Sequence, residues 1–368
     1  SINSGTGRIL IDGWATGTKD GVAIDSTTTV KTTITSAAVS NATTPAISIT
    51  GDCDSTSTAD TEQRGIWTGT GGLTISATGG GDILMTATNS AAHTTNPGAL
   101  YIQSADIIAS TGYIKLDGGT SGVVTSVSGT TNLGALSSGS ATGDVTVIGD
   151  RISSGGTTTI KTTGAVVQEP TSNSFAGAYS ASTLNVTAGA ASLRIGKLTN
   201  TSDITLSAGT VSVVGNIDIT GGAITNNASL TTTGTGDVTI TGTGAYTGSG
   251  AIVAKGKVVI NALSASPTGA ITSNGALGIA VTASGGSISI GGNLSASTST
   301  TAPITLKASA NLSVTASKSI TTAGGNAILW SRYLAAAGAS TLGSITLGNT
   351  SSITTTGGRI VIDRKSVV

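Results

Sequence analysis

Cys53 is set between Asp52 and Asp54, with Asp60 and Glu62 a few residues on, and no other stretch of the 368-residue chain gathers chemically capable side chains so densely. Hard cations such as calcium use clustered carboxylates of this kind. The spacing here fits no calcium loop, however, and the Gly-Gly-x-Gly-x-Asp nonapeptide of calcium-binding β-helices does not occur. The cluster reads as a solvated loop. A thiol flanked by two carboxylates has a disfavoured thiolate, so Cys53 is a poor nucleophile. His93 is the single histidine. A zinc site wants three or four His, Cys or carboxylate ligands, and a catalytic triad wants a base with its own orienting partner. His93 stands among Ala91, Ala92, Thr94, Thr95 and Asn96 and reads as a loop residue.

The remaining acids are scattered singly through a total of 17. Polysaccharide cleavage needs two carboxylates facing one bond, or several acids with a cation or a base. Asp82, Asp144 and Asp237 each follow a glycine, which makes them corner residues. The glycine-rich corners lack Gly-Lys-Ser/Thr and a following helix, so they are not phosphate loops. The sequence therefore assigns no catalytic, cofactor-binding or metal-binding residue, and the expectation is a protein that is not an enzyme. One repeated feature stays open. Thr27-Thr-Thr-Val-Lys-Thr-Thr-Ile34 and Thr157-Thr-Thr-Ile-Lys-Thr-Thr163 are near-copies. Threonines stacked on neighbouring strands can make a flat outward array of the ice-binding kind. That needs one register on every coil, and the repeats here vary in length. Threonine is also the best polar residue for an exposed strand face.

Charge narrows the partners. Lys plus Arg equals Asp plus Glu at 17 each, giving a net charge of zero. A nucleic-acid binder needs a basic excess against phosphate, and a polybasic membrane patch needs one too. No apolar run approaches the ~20 residues that span a bilayer. No basic-then-apolar start is visible, so no signal peptide is read. The lone cysteine makes no internal disulfide, which suits a repetitive chain exported unfolded through a pore.

The elements that carry these residues repeat. From Ala302 the chain reads Pro-Ile304-Thr-Leu306, Asn-Leu312-Ser-Val314, Lys-Ser-Ile320 and Asn-Ala-Ile328-Leu-Trp330, with beats at 304, 312, 320 and 328, each 8 residues apart. Large apolar residues at alternate positions mark a strand with one buried face. Similar units recur as Gly81-Asp-Ile-Leu-Met85, Gly143-Asp-Val-Thr-Val147, Gly215-Asn-Ile-Asp-Ile219 and Gly236-Asp-Val-Thr-Ile240. Glycine is expected to supply a positive φ or a tight bend at the corner, Asp, Asn or Ser to bond the corner backbone, and the aliphatic residues to point inward. Val238, Val258 and Ile279 are read as corresponding positions. Regularly spaced strands that cannot bury their own core must stack on copies of themselves. Gly and Thr are too frequent for helix interiors.

The expected fold is all-β: a parallel β-helix, or β-solenoid, of roughly 20–24 residues per coil and two or three short strands per coil. About 16 such coils at ~4.8 Å would make a rod of roughly 75 to 80 Å. Residues 1–362 are expected to form one continuous solenoid domain. Asp52 to Arg64, Thr88 to Pro97, Val167 to Ser182 and Ser331 to Ala339 lack the alternation and are expected to leave it as loops. The pattern breaks at Asp363-Arg-Lys-Ser-Val-Val368, whose codons would match a short-read sequencing adapter, so 363–368 is read as a non-native tail.

Gly324-Gly-Asn-Ala-Ile-Leu-Trp-Ser-Arg332, Gly343-Ser-Ile-Thr-Leu347 and Thr356-Gly-Gly-Arg-Ile-Val-Ile362 resemble the β-strand repeats of filamentous-haemagglutinin-like adhesins and autotransporter passenger domains. The resemblance is one of repeat style and covers nearly the whole chain. It implies a right-handed parallel β-helix at the bacterial cell surface or secreted from it, an interior piece of a longer chain, and a role as adhesin or stalk. The implied partners are glycans or proteins of a host or a neighbouring cell. A compact ice-binding solenoid and a polysaccharide-binding or polysaccharide-cleaving one are the alternatives.

Overall fold

A computed structural model describes residues 1–16, 19–25, 31–40, 44–54, 63–69, 71–89, 98–125, 129–135, 141–297, 303–332 and 343–364. Among these residues there is no α-helix, only strands and one short 3-10 turn at Gly119–Ser121. The strands belong to a parallel β-helix in which each turn hydrogen-bonds in parallel to the next. The chain divides into two compact units, Ser1–Ser202 and Asp203–Val368.

In the first unit, seven strands stack into one ladder, from Ile9–Thr16 and Ile47–Asp54 through to Ala165–Glu169 and Ser192–Ile195. Their first inward residues form a column of Ile9, Ile47, Ile83, Ile114, Val145, Val166 and Leu193. All seven are buried. Two further ladders complete each turn, for instance through Ile66–Thr68 and Leu73–Ala77. They fuse at Ile152–Lys161, a ten-residue strand whose first half pairs with Val123–Thr125 and whose second half pairs with Thr130–Gly134.

The second unit repeats the plan with shorter joints. Its first ladder starts at Ile217–Gly221 and Val238–Gly242 and ends at Ile360–Arg364. The second runs from Ile204–Leu206 to Ile345–Leu347, the third from Thr210–Val213 to Ser352–Thr355. The core is aliphatic and is filled by pairing large with small. Tyr246, the largest buried side chain of this unit, stacks between Ile224 and Ala265.

Turn length varies, as the repeats do in the sequence, and the register corrects two readings of position. Val238 stacks on Val258 twenty residues on, whereas Ile9 stacks on Ile47 thirty-eight residues on and Ala327 on Ile360 thirty-three on. Extra residues enter between strands and leave the ladders in register, and among the described residues each unit has seven strands in its first ladder. Ile279 pairs with Ile260, and Val258 pairs with Leu277, so the correspondence with Val238 slips by two. Ile328 faces outward opposite Thr305, while Ala327 and Leu329 are buried. The 8-residue beat fails there because small Ala327 fills the column under Ile304.

The strand Ala165–Glu169 takes in Val167, and Tyr179–Ala190 takes in Ser182, so only residues 170–178 of the expected Val167–Ser182 loop join strands. The misreading came from Gln168. It occupies an inward position below Val147, where it is buried and its Oε1 accepts the hydroxyl of Tyr179. Of the other expected loops, Asp52 to Asp54, Thr88, Asn89 and Ser331 belong to strands, and most of the remainder lies outside the described residues. Of the 363–368 segment, Asp363 and Arg364 extend the last strand, opposite Trp330 and Ser331, and the rest lies outside the described residues.

Candidate functional site

The corners between strands hold the most regular chemistry in the molecule. Asp82 Oδ1 accepts from the amide of Tyr113 at 2.9 Å, Asp144 Oδ1 from Ala165 at 2.8 Å and Asp237 Oδ1 from Lys257 at 2.7 Å. In each pair the donor is the residue that occupies the same corner one turn later. Asn216 does the same for Asp237 at 3.0 Å and Asn326 for Arg359 at 2.9 Å. The corner before the second ladder uses Asp203 and Asn311, which accept from Ala223 and Ser344 at 2.7 and 3.0 Å, and the corner before the third uses Asn293, which accepts from Ser319 at 3.0 Å. These carboxylates and carboxamides satisfy backbone donors that the parallel ladder leaves over at its start. The three aspartates singled out by their place after glycine are therefore corner residues, bonded to the following turn.

Of the two reasons expected for the glycine before the Asx residue, a positive φ and a tight corner, the first does not hold. Gly81, Gly143 and Gly236 do not have a positive φ. A Cβ on Gly143 would instead lie 1.9 Å from the carbonyl oxygen of Gly112, and one on Gly236 would lie 1.9 Å from that of Gly215. Successive turns touch backbone to backbone at this corner, and any side chain would push them apart.

Buried hydroxyls close the corner from inside. Thr232 Oγ1 donates to Gly236 O at 2.8 Å and accepts from the amide of Lys255 at 2.8 Å. Ser273 Oγ donates to Gly275 O at 2.8 Å. The sequence reading placed threonine outside and missed these. The signal was a Ser or Thr two to four residues before a corner glycine.

The acidic cluster does not converge. Cys53 is buried at the inner face of Ile47–Asp54, and its Sγ donates to Lys19 O at 3.3 Å. Burial first, then Asp20, Asp52 and Asp54, pushes its thiol above the ordinary value. Asp52 points outward and accepts from the hydroxyl of Thr88, and Asp20 accepts from the amide of Arg64 at 2.9 Å. Asp60, Glu62 and His93 lie outside the described residues. Among the described residues no group of three His, Cys, Asp or Glu is placed to hold a metal ion. An interior pocket of the first unit is lined by Thr125, Ser154, Thr158, Gln168 and Tyr179. Its hydroxyls bond one another, Thr125 to Thr158 at 3.0 Å and Thr158 to Ser154 at 3.2 Å.

The threonine runs fall into place as well. Residues 26–30, which hold the first three threonines of the earlier run, lie outside the described residues. Ile34 and Ile160 share one inward column through Ile75, Ile107 and Leu133. The outward column beside it reads Thr33, Thr74, Asp106, Asn132 and Thr159. It is broken by charge: Asp106 accepts from Asn132 at 2.7 Å and pairs with Lys31 at 3.1 Å.

No family model, no curated protein and no solved structure matches this chain. No helix among the described residues is long and apolar enough to cross a membrane.

Proposed function

We propose that this chain is a structural and adhesive repeat region of a large bacterial surface or secreted protein, a stalk that carries joining segments to glycans or proteins of a host or a neighbouring cell. One observation supports this reading above the others. Turn length varies from 19 to 44 residues within the two units, yet the ladders stay in register. A scaffold built this way tolerates insertions between strands, and inserted segments on a fixed frame are where binding surfaces arise. Residues 55–62, 90–97 and 333–342 are the segments to test.

Beads coated with the chain are offered to cultured cells and to bacteria. Adhesion is expected, and shortening residues 55–62, 90–97 and 333–342 to Gly-Ser links is expected to remove it without moving the thermal midpoint. Failure of the intact, folded chain to hold any cell overturns the adhesive reading.

A further inference from the structure

The second unit carries a surface that the stalk reading does not use. Its second and third ladders are joined within a turn by very few residues. Burial alternates without a break over residues 224–232, again over 265–273 and again over 288–296. Each of these stretches is two short strands joined by a bend, at Ala228, Gly269 and Gly292, and shows every second side chain to solvent along its length. The outward residues are Thr225, Asn227, Ser229 and Thr231 in one turn, and Ser266, Thr268, Ala270 and Thr272 two turns later.

The register stacks them into columns. One reads Thr205, Thr225, Thr247 and Ser266, with Ser289, Ser313 and Thr346 continuing it further along. The other reads Ser212, Thr231, Val253, Thr272, Ser295, Thr321 and Thr354. No Asp, Glu, Lys or Arg occurs in any of the fourteen strands of these two ladders. The columns repeat about every 4.8 Å from turn to turn, and outward residues repeat about every 6.7 Å along an extended strand. Side chains are held in place by bonds between turns. Thr225 Oγ1 lies 3.3 Å from Thr247 Oγ1, Asn227 Oδ1 accepts from Ser249 N and Oγ at 2.9 and 3.1 Å, and Thr268 Oγ1 donates to Gly248 O at 3.1 Å.

This chemistry selects against most partners. Phosphate needs cations, and none is present on these strands. Protein interfaces are anchored by aromatic residues and arginine, and the columns expose neither. Crystalline glycans are gripped by aromatic platforms, which are also missing. What fits is a rigid lattice of water, met by fixed hydroxyls and methyls repeating in two directions on the length scale of the oxygen lattice of ice. Uniform coil length is not required: Thr247 and Ser266 are 19 residues apart, Ser313 and Thr346 are 33 apart, and both pairs are in register.

We infer that the Ser/Thr columns of the second and third ladders of this unit bind the surface of ice. The test uses the full chain in a single-crystal growth assay and in recrystallisation. Thr231→Tyr and Thr272→Tyr break the columns, and Thr239→Tyr places the same bulk on an outward position of the first ladder. Circular dichroism melts check that each variant folds. The expected result is faceted growth with a freezing-point gap for the parent and for Thr239→Tyr, and its loss in the two column variants. Ice growth indifferent to the folded parent overturns the inference, as does equal activity in Thr231→Tyr. Binding to microcrystalline cellulose or chitin that those variants abolish, with no effect on ice, also overturns it and reassigns the face to polysaccharide.

Discussion

Asp237 reaches across to the next turn of the solenoid and accepts the backbone amide of Lys257 at 2.7 Å. Its own amide is held in turn by Asn216 at 3.0 Å. A hydrogen bond of this kind contributes about 0.5–1.5 kcal/mol net, more with a charged acceptor. Asp237→Ala is expected to cost about 1–2 kcal/mol in chemical denaturation, and Asp237→Asn, which keeps an acceptor, less than half of that. Equal losses would mean that charge, not acceptance, is what the corner uses.

The inward columns set a second expectation. Ile240 is fully buried between Ile219 and Ile260, while Thr239 beside it points out. Ile240→Ala is expected to cost about 2–5 kcal/mol, and Ile240→Asp more, because it buries an unpaired charge. Thr239→Ala should stay within about 0.5 kcal/mol. Comparable tolerance at both sites in urea melts would refute the in/out assignment.

Glycines separate into two kinds by what surrounds them. Gly143→Ala forces a Cβ against the carbonyl of Gly112 and is expected to lower the thermal midpoint clearly. Gly278 has open space where a Cβ would go, and its backbone is not left-handed. Gly278→Ala is therefore expected to stabilise by about 0.4–1 kcal/mol through the unfolded chain. A neutral Gly143→Ala would remove close approach as the reason for the corner glycine.

How far this was legible in the residues depends on the range of the interaction. Alternation is local, so the strands and the aliphatic face could be read wherever large residues fill the columns. Ile328 was misread because inward Ala327 is small and carries no signal of its own. The partner of Asp237 is twenty residues away, and nothing within its own corner shows that its oxygen crosses to the next turn. Thr232 looks like any exposed threonine until the turn closes around it and buries it. The outward columns of the second unit depend on register between turns of unequal length, which spacing alone hides.

Alkaline pH offers a check on the packing of Tyr246. Burial pushes its hydroxyl up to about 12 from an ordinary value of 10.0. Below pH 10 the folded and unfolded chains both keep the proton, and stability is unaffected. Between about pH 10 and pH 12 the unfolded chain releases it and the folded chain does not, so stability falls by about 2–3 kcal/mol in total. Tyr179, buried as well, moves in the same direction. Tyr246→Phe is expected to give a shallower alkaline limb in denaturation measured from pH 9 to 12. An unchanged slope would place the Tyr246 hydroxyl in water.

Cys53 is expected to be inert in the folded state, since burial and three nearby aspartates all oppose its thiolate. Alkylation by iodoacetamide should be slow in buffer and fast in denaturant. Fast labelling of the folded chain would show that the strand Ile47–Asp54 opens readily.

The most direct test of the structural and adhesive role is an array of glycans and surface proteins probed with the purified chain, with new reducing ends assayed in the same wells. Retention on particular glycans or proteins with no new reducing ends is the expected result. Release of reducing ends by the chain, lost on substituting a pair of its carboxylates, would contradict it and make the solenoid an enzyme.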